Sequence, residues 1–169
     1  MQWSIVALGF GLPIAEVAKT GMDSLSITLA TISAAFLSAL CFGKLLRVPG
    51  KLCVLIGTGT AICGGSAIAA ITPVLKPDAH EASFSLSTIF LFNVLAVLLF
   101  PLLGHALGLS DHGFGLWAGT AINDTSSVVA AAYSWSESAG EYATIVKLTR
   151  AMLIVPVTLA IGAWFIVKQ

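Results

Sequence analysis

The chain has 169 residues, 57% of them hydrophobic and only 9% charged, with eight basic and eight acidic side chains and a formal net charge of zero. Soluble domains carry about 25% charged residues, so this composition, with a mean hydropathy of +0.98, cannot supply the polar coat of a soluble fold. The even charge balance argues against a nucleic-acid partner, which needs a basic surface.

In chain order, the first segment, Gln2 to Ala15, is uncharged but short of the roughly 20 apolar residues of a spanning helix. It lacks the basic start and cleavage site of a secretory signal. Charges then divide the sequence into membrane-length blocks. None lies between Asp23 and Lys44, and none between Lys51 and Lys76. Between Glu81 and Asp111 the one ionisable group is His105, and from Gly113 to Ser136 the one charge is Asp124. After Arg150 none follows until Lys168. Backbone groups cannot stay unpaired in lipid, so these blocks are expected to be helices, and the alternation of a transmembrane barrel is absent. The expected fold class is an all-α integral membrane protein with five to six membrane helices. Cys41, Cys53 and Cys63 sit in apolar stretches without a CxxC pair, which reads as buried thiols and no metal site.

Lys44, Arg47 and Lys51 cluster in one loop and mark it as cytoplasmic. If every block crosses once, Glu16, Asp23, Asp78, Glu81, Glu137 and Glu141 fall on the other side. Each re-entrant hairpin would flip all that follows it.

An internal repeat carries the functional information. Gly59 to Ala70 reads GTAICGGSAIAA and Gly119 to Ala130 reads GTAINDTSSVVA, an offset of 60 residues. In each copy a Gly-Thr-Ala-Ile stretch meets a small or polar cluster, then a helix former. Paired glycines weaken a helix by about 1 kcal/mol each, while Ser, Thr, Asn and Asp are good N-caps. Two helices are therefore expected to break near the midplane, at about Gly57–Ser66 and Gly119–Ser127. The new N-termini expose backbone N–H groups that can hold an anion, as in transporters with internal repeats. Close helix packing explains the small residues of either copy alone equally well, but their repetition and the aspartate inside one copy favour a site. Only one block separates the copies, so full crossings would make the broken helices parallel, whereas an inverted repeat needs a re-entrant element.

Candidate substrate-binding residues are Gly64, Gly65, Ser66, Asn123, Asp124, Thr125, Ser126, Lys147 and Arg150. An ionised group within a membrane is by default a functional hypothesis. Lys147 and Arg150, three apart, share a helical face with Thr144. If Asp124 pairs with one of them, one cation remains for an anion. The alternative for both is interfacial anchoring. An anion arriving beside Asp124 favours the protonated carboxyl, which would couple proton and anion binding. Asn93 reads as a bridge between helices, with contact to substrate as the alternative, Pro101 as a kink, and His105 and His112 as interfacial. No nucleophile–base pair and no HExxH or GxSxG motif supports an enzyme, and no cofactor is implied.

The stretches GTAICGGSAIAAITPVLK, NVLAVLLFPLLGHALGLSDHGFGLWAGTAINDTSSVVAAAY and ATIVKLTRAMLIVPV resemble the YeiH family of bacterial inner-membrane proteins, the family named for sulfate export. The resemblance implies a multi-pass protein of the bacterial inner membrane and relation to cation/proton antiporters and bile-acid symporters. It also implies secondary transport of a small inorganic or organic anion, with sulfate, sulfite or a sulfonate as candidates. Family members are about twice as long, so residues 1–169 are expected to form one transmembrane domain, the central part of a longer architecture, or a reduced member working as a homodimer. A non-transporting membrane subunit or scaffold is the alternative.

Overall fold

The computed structural model describes residues 14–167, and all regular structure in them is helical. In chain order the helices are α1 (Ile14–Leu45), α2 (Gly50–Ala61), α3 (Gly65–Leu75), α4 (Ala79–Ala106), α5 (Asp111–Ala121), α6 (Thr125–Trp135), α7 (Glu137–Met152) and α8 (Ile154–Val167). The short first segment of the sequence lies almost wholly outside the described residues. Helix α1 runs straight through Glu16, Lys19 and Asp23, which the charge pattern suggested as a loop.

Three stretches are long and apolar enough to cross a membrane: Lys19–Leu45, Ala79–Ala106 and Glu137–Ala160, of 27, 28 and 24 residues. The third joins α7 to α8 across Leu153. Pro156 explains that irregularity, since a proline has no N–H to offer the carbonyl four residues back. Helix α4 begins with a full capping box, Asp78 and Glu81 each satisfying the other's backbone, and continues through Pro101.

The polarity of these helices is the reverse of that in a soluble protein. On α4 the buried stripe is Ser85, Ile89, Asn93, Ala96 and Gly104, while Phe90, Leu91, Phe92, Val94, Leu98 and Leu102 are exposed. On α1, Ser24 and Thr28 are buried and Leu25, Leu29 and Leu37 face outward. Exposed apolar area disfavours water by about 25 cal/mol per Å², so this surface matches lipid.

The two broken elements fold back on themselves. Lys51, at the start of α2, donates from Nζ to the carbonyl of Lys76, just past α3, at 2.9 Å. A straight helix would hold these residues roughly 37 Å apart. Val54 and Leu55 of α2 pack with Ile68, Ile71 and Leu75 of α3. In the second element Trp135 Nε1 donates to Asp111 Oδ1 at 2.9 Å, and the rings of Phe114 and Trp135 stack with centroids 4.3 Å apart. Asp78 and Glu81 therefore lie at the same end of the molecule as Lys51, not at the opposite end as alternating crossings would place them.

The 28 residues of α4 connect the open end of the first hairpin to the open end of the second. At 1.5 Å per residue the two open ends lie about 42 Å apart along that helix. The tips converge beside its middle. Ile89 lies against Gly59 and Gly64 of the first hairpin, and Asn93 bonds the tip of the second. The hairpins therefore point toward each other.

Helix α7 closes the bundle over the second hairpin. A Cβ added at Gly115 would sit 2.9 Å from the Ala139 carbonyl oxygen, and one at Gly119 2.8 Å from that of Ala143. This GxxxG pair lets two backbones touch.

In a background with Cys41, Cys53 and Cys63 changed to alanine, the double variant Asp111→Cys, Trp135→Cys should be joined within one chain by a short bis-maleimide, seen as an electrophoretic shift. A straight-through second element would leave the pair uncrosslinked.

Candidate functional site

The site is built where the hairpin tips meet. Helix α2 ends at Ala61, and the chain reverses through Ile62, Cys63 and Gly64. Gly64 has φ 73°, a conformation in which a side chain would be strained. Its N–H reaches back to the Gly59 carbonyl at 2.8 Å. Helix α5 ends at Ala121, and Ile122, Asn123 and Asp124 lead into α6, with Ile122 and Asp124 in extended conformation. A Cβ at Gly64 would lie 3.6 Å from Asn123 Cβ, so the two tips are in contact.

Two half-helices thus end facing each other with unpaired terminal carbonyls, the negative ends of their dipoles. Helix α7 supplies the donors. Lys147 Nζ donates to Ile62 O at 2.9 Å and to Ile122 O at 3.0 Å. Arg150 Nε donates to Ala61 O and Nη2 to Thr60 O, both at 2.8 Å, and Nη1 donates to Thr120 O. Each cation therefore spans both hairpins. Lys147 is fully buried and Arg150 is 2% exposed.

The two restarting helices differ. Asp124 caps α6, its Oδ2 accepting from Ser127 N at 3.2 Å. Asn93 Oδ1 accepts from both Asn123 N at 3.1 Å and Asp124 N at 3.2 Å. Thr125 and Ser126 lie half-buried in the first turn of α6. Helix α3 begins at Gly65 with Gly64 before it and no side-chain cap, and Ser66 is exposed.

Of the residues singled out from sequence, Gly64, Gly65, Asn123 and Asp124 come together at the tips with Lys147 and Arg150 behind them. Asp124 spends its carboxylate on its own helix, and both basic side chains bond backbone carbonyls. Asn93 bridges α4 to the second tip. The sequence reading missed Thr60, Ala61, Ile62, Thr120 and Ile122 as partners, because they act through main-chain oxygens that leave no side-chain signature.

Each buried carbonyl left without its donor costs about 1–3 kcal/mol. Lys147→Met should therefore lower the unfolding midpoint of the purified protein markedly. Asn93→Leu should do the same, whereas Asn93→Asp, which keeps an acceptor for the two tip amides, should lose much less. Equal midpoints for Asn93→Leu and wild type would remove the bridging role.

The chain is similar to a UPF0324 membrane protein of Streptococcus mutans, 48% identical over 172 residues that cover 99% of this chain and 50% of the relative. A UPF0324 membrane protein of Streptococcus pneumoniae is 49% identical over 168 residues, 97% of this chain and 50% of its own. The chain thus spans about half the length of the curated relatives it matches. No solved structure matches it. Read with the outward apolar surface and the three long apolar helices, these relatives identify a membrane protein. The profile of the conserved hypothetical protein 698 family matches residues 1–169, and the chain belongs to that family.

Proposed function

We propose that this chain forms part of a multi-pass secondary transporter of the bacterial inner membrane that moves a small anion outward. The observation that carries the reading is the meeting of two helical hairpins, tip to tip, under the buried Lys147 and Arg150 side chains. Non-helical backbone is tolerated at membrane depth only where it is buried in protein or lines a cavity, and transporters place their sites at such breaks. In this reading α1, α4 and the α7–α8 pair cross the bilayer, and the hairpins enter from opposite faces. The pairs α1 with α2–α3 and α4 with α5–α6 then form an inverted repeat, as the copies at Gly59 and Gly119 suggest.

The sidedness follows the positive-inside rule. Lys44, Arg47, Lys51 and Lys76 surround the mouth of the first hairpin, which we assign to the cytoplasm. Asp111, Glu137 and Glu141 stand at the mouth of the second.

The charge balance favours an anion. Each helix end carries roughly half a unit charge, so the two negative and two positive ends at the tips cancel. Lys147 and Arg150 against an ionised Asp124 leave one positive charge over. The start of α3 at Gly65, where the N-cap position is a glycine with no side chain to cap the helix, is the natural seat for the anion. Sulfate, sulfite and simple sulfonates are the first substrates to test, with proton coupling through Asp124.

The second reading is a static membrane subunit. It is favoured by the full use of Lys147 and Arg150 on main-chain carbonyls, which needs no substrate.

Flux into proteoliposomes separates the two, using the full-length gene product where one exists. The transporter reading expects saturable anion flux that Ser66→Leu suppresses. It also expects Asp124→Asn, which keeps an N-cap, to retain flux while losing its dependence on pH. Absence of flux for every anion tried would favour the static subunit, and unchanged pH dependence in Asp124→Asn would end the coupling role.

A further inference from the structure

A cavity of about 490 Å³ opens beside the tips, between α2, α4 and the end of α5. Phe92, Leu95 and Leu99 give it a long apolar wall, and Thr60, Asn93 and Asn123 give it one polar end. Its size and its mix of a mostly apolar lining with a few polar groups are those of small-molecule sites.

The polar end is incomplete. Asn93 Nδ2 and Asn123 Oδ1 are buried and have no hydrogen-bond partner among the described residues. Asn93 is 2% exposed and Asn123 8%. The orientation of the Asn93 amide follows from its oxygen, which accepts from two backbone N–H groups, so the group left over is a donor. Buried polar groups are rarely left unpaired. Here one donor and one acceptor are unpaired on two residues already joined by a hydrogen bond.

We propose that this cavity binds a small amphiphile whose neutral head both accepts and donates a hydrogen bond, a protonated carboxylic acid or a primary amide, with its alkyl body along α4. The carbonyl oxygen of the head accepts from Asn93 Nδ2, and its O–H or N–H donates to Asn123 Oδ1. An ionised carboxylate or sulfonate carries acceptors alone and would set negative charge against Asn123 Oδ1. The proposal goes beyond the transport reading and stands on the cavity's own geometry: a neutral head is paired here, whereas the anion of that reading sits at the start of α3.

The test uses the whole chain purified in detergent and titrated with hexanamide. Tryptophan emission is the readout, since Trp117 stacks on Phe100 with centroids 4.3 Å apart and Phe100 lines the cavity. The expected result is saturable binding of hexanamide, binding of hexanoic acid below but not above its own pKa, and no competition by sodium sulfate or hexanesulfonate. Asn123→Ala, which removes the acceptor and keeps the backbone N–H bonded by Asn93, should weaken hexanamide by about ten-fold, the loss of one hydrogen bond. Ala121→Phe, at an exposed position on the cavity wall, should abolish binding with the ligand-free unfolding midpoint unchanged. Non-saturable partition that is the same in both variants, or hexanesulfonate binding as tightly as hexanamide, would overturn the proposal. If sulfate crosses proteoliposomes while hexanamide fails to bind, this proposal falls and the transport reading stands. If hexanamide binds as described and no solute crosses, the site stands and the transport reading falls.

Discussion

The structure depends on one requirement: the carbonyls at the ends of α2 and α5, brought together where the two hairpins meet, need donors. A helix leaves its last four C=O groups without internal partners. Here two such ends face each other inside the protein. Lys147 and Arg150 donate to Thr60, Ala61, Ile62, Thr120 and Ile122, reaching both hairpins from a single turn of α7. Burying two cations is expensive unless each is bonded. The convergence of two negative dipole ends makes the arrangement tenable.

Much of the packing follows from that clamp. To bring Lys147 to the tips, α7 must lie directly on α5, and the glycines at 115 and 119 remove the side chains that would hold the helices apart. Asn93, at the middle of α4, holds the second tip from the other side. The two tips are consequently unlike. The second is capped by Asp124 and tied to α4, while α3 starts at a glycine without a side-chain cap.

The outer surface is set by the same economy of polar groups. Buried faces of α1 and α4 carry Ser24, Thr28, Ser85 and Asn93, and the outward faces carry leucine and phenylalanine. Ser24 and Ser85 bond carbonyls of their own helices, and Asn93 bonds the second tip. The cavity beside the tips lies on the boundary between these regimes, apolar along α4 and polar where Asn93 and Asn123 stand.

The sequence by itself determined the class of the molecule, because charge-free blocks of membrane length leave helices as the sole way to pair the backbone. It also located both breaks, since Gly64-Gly65 and Asn123-Asp124 weaken a helix and restart one whatever surrounds them. The central position of Asn93 in an apolar run marked it as a bridge for the same local reason. Tertiary structure alone decided the rest. The residues that stop a helix serve a straight interrupted helix and a folded-back hairpin equally well, and only distant contacts such as Lys51 with Lys76 O and Phe114 with Trp135 select the hairpin. Spacing put Lys147 and Arg150 on one face but could not say what that face meets. Their partners are main-chain carbonyls, which every residue possesses, so no pattern of side chains announces them.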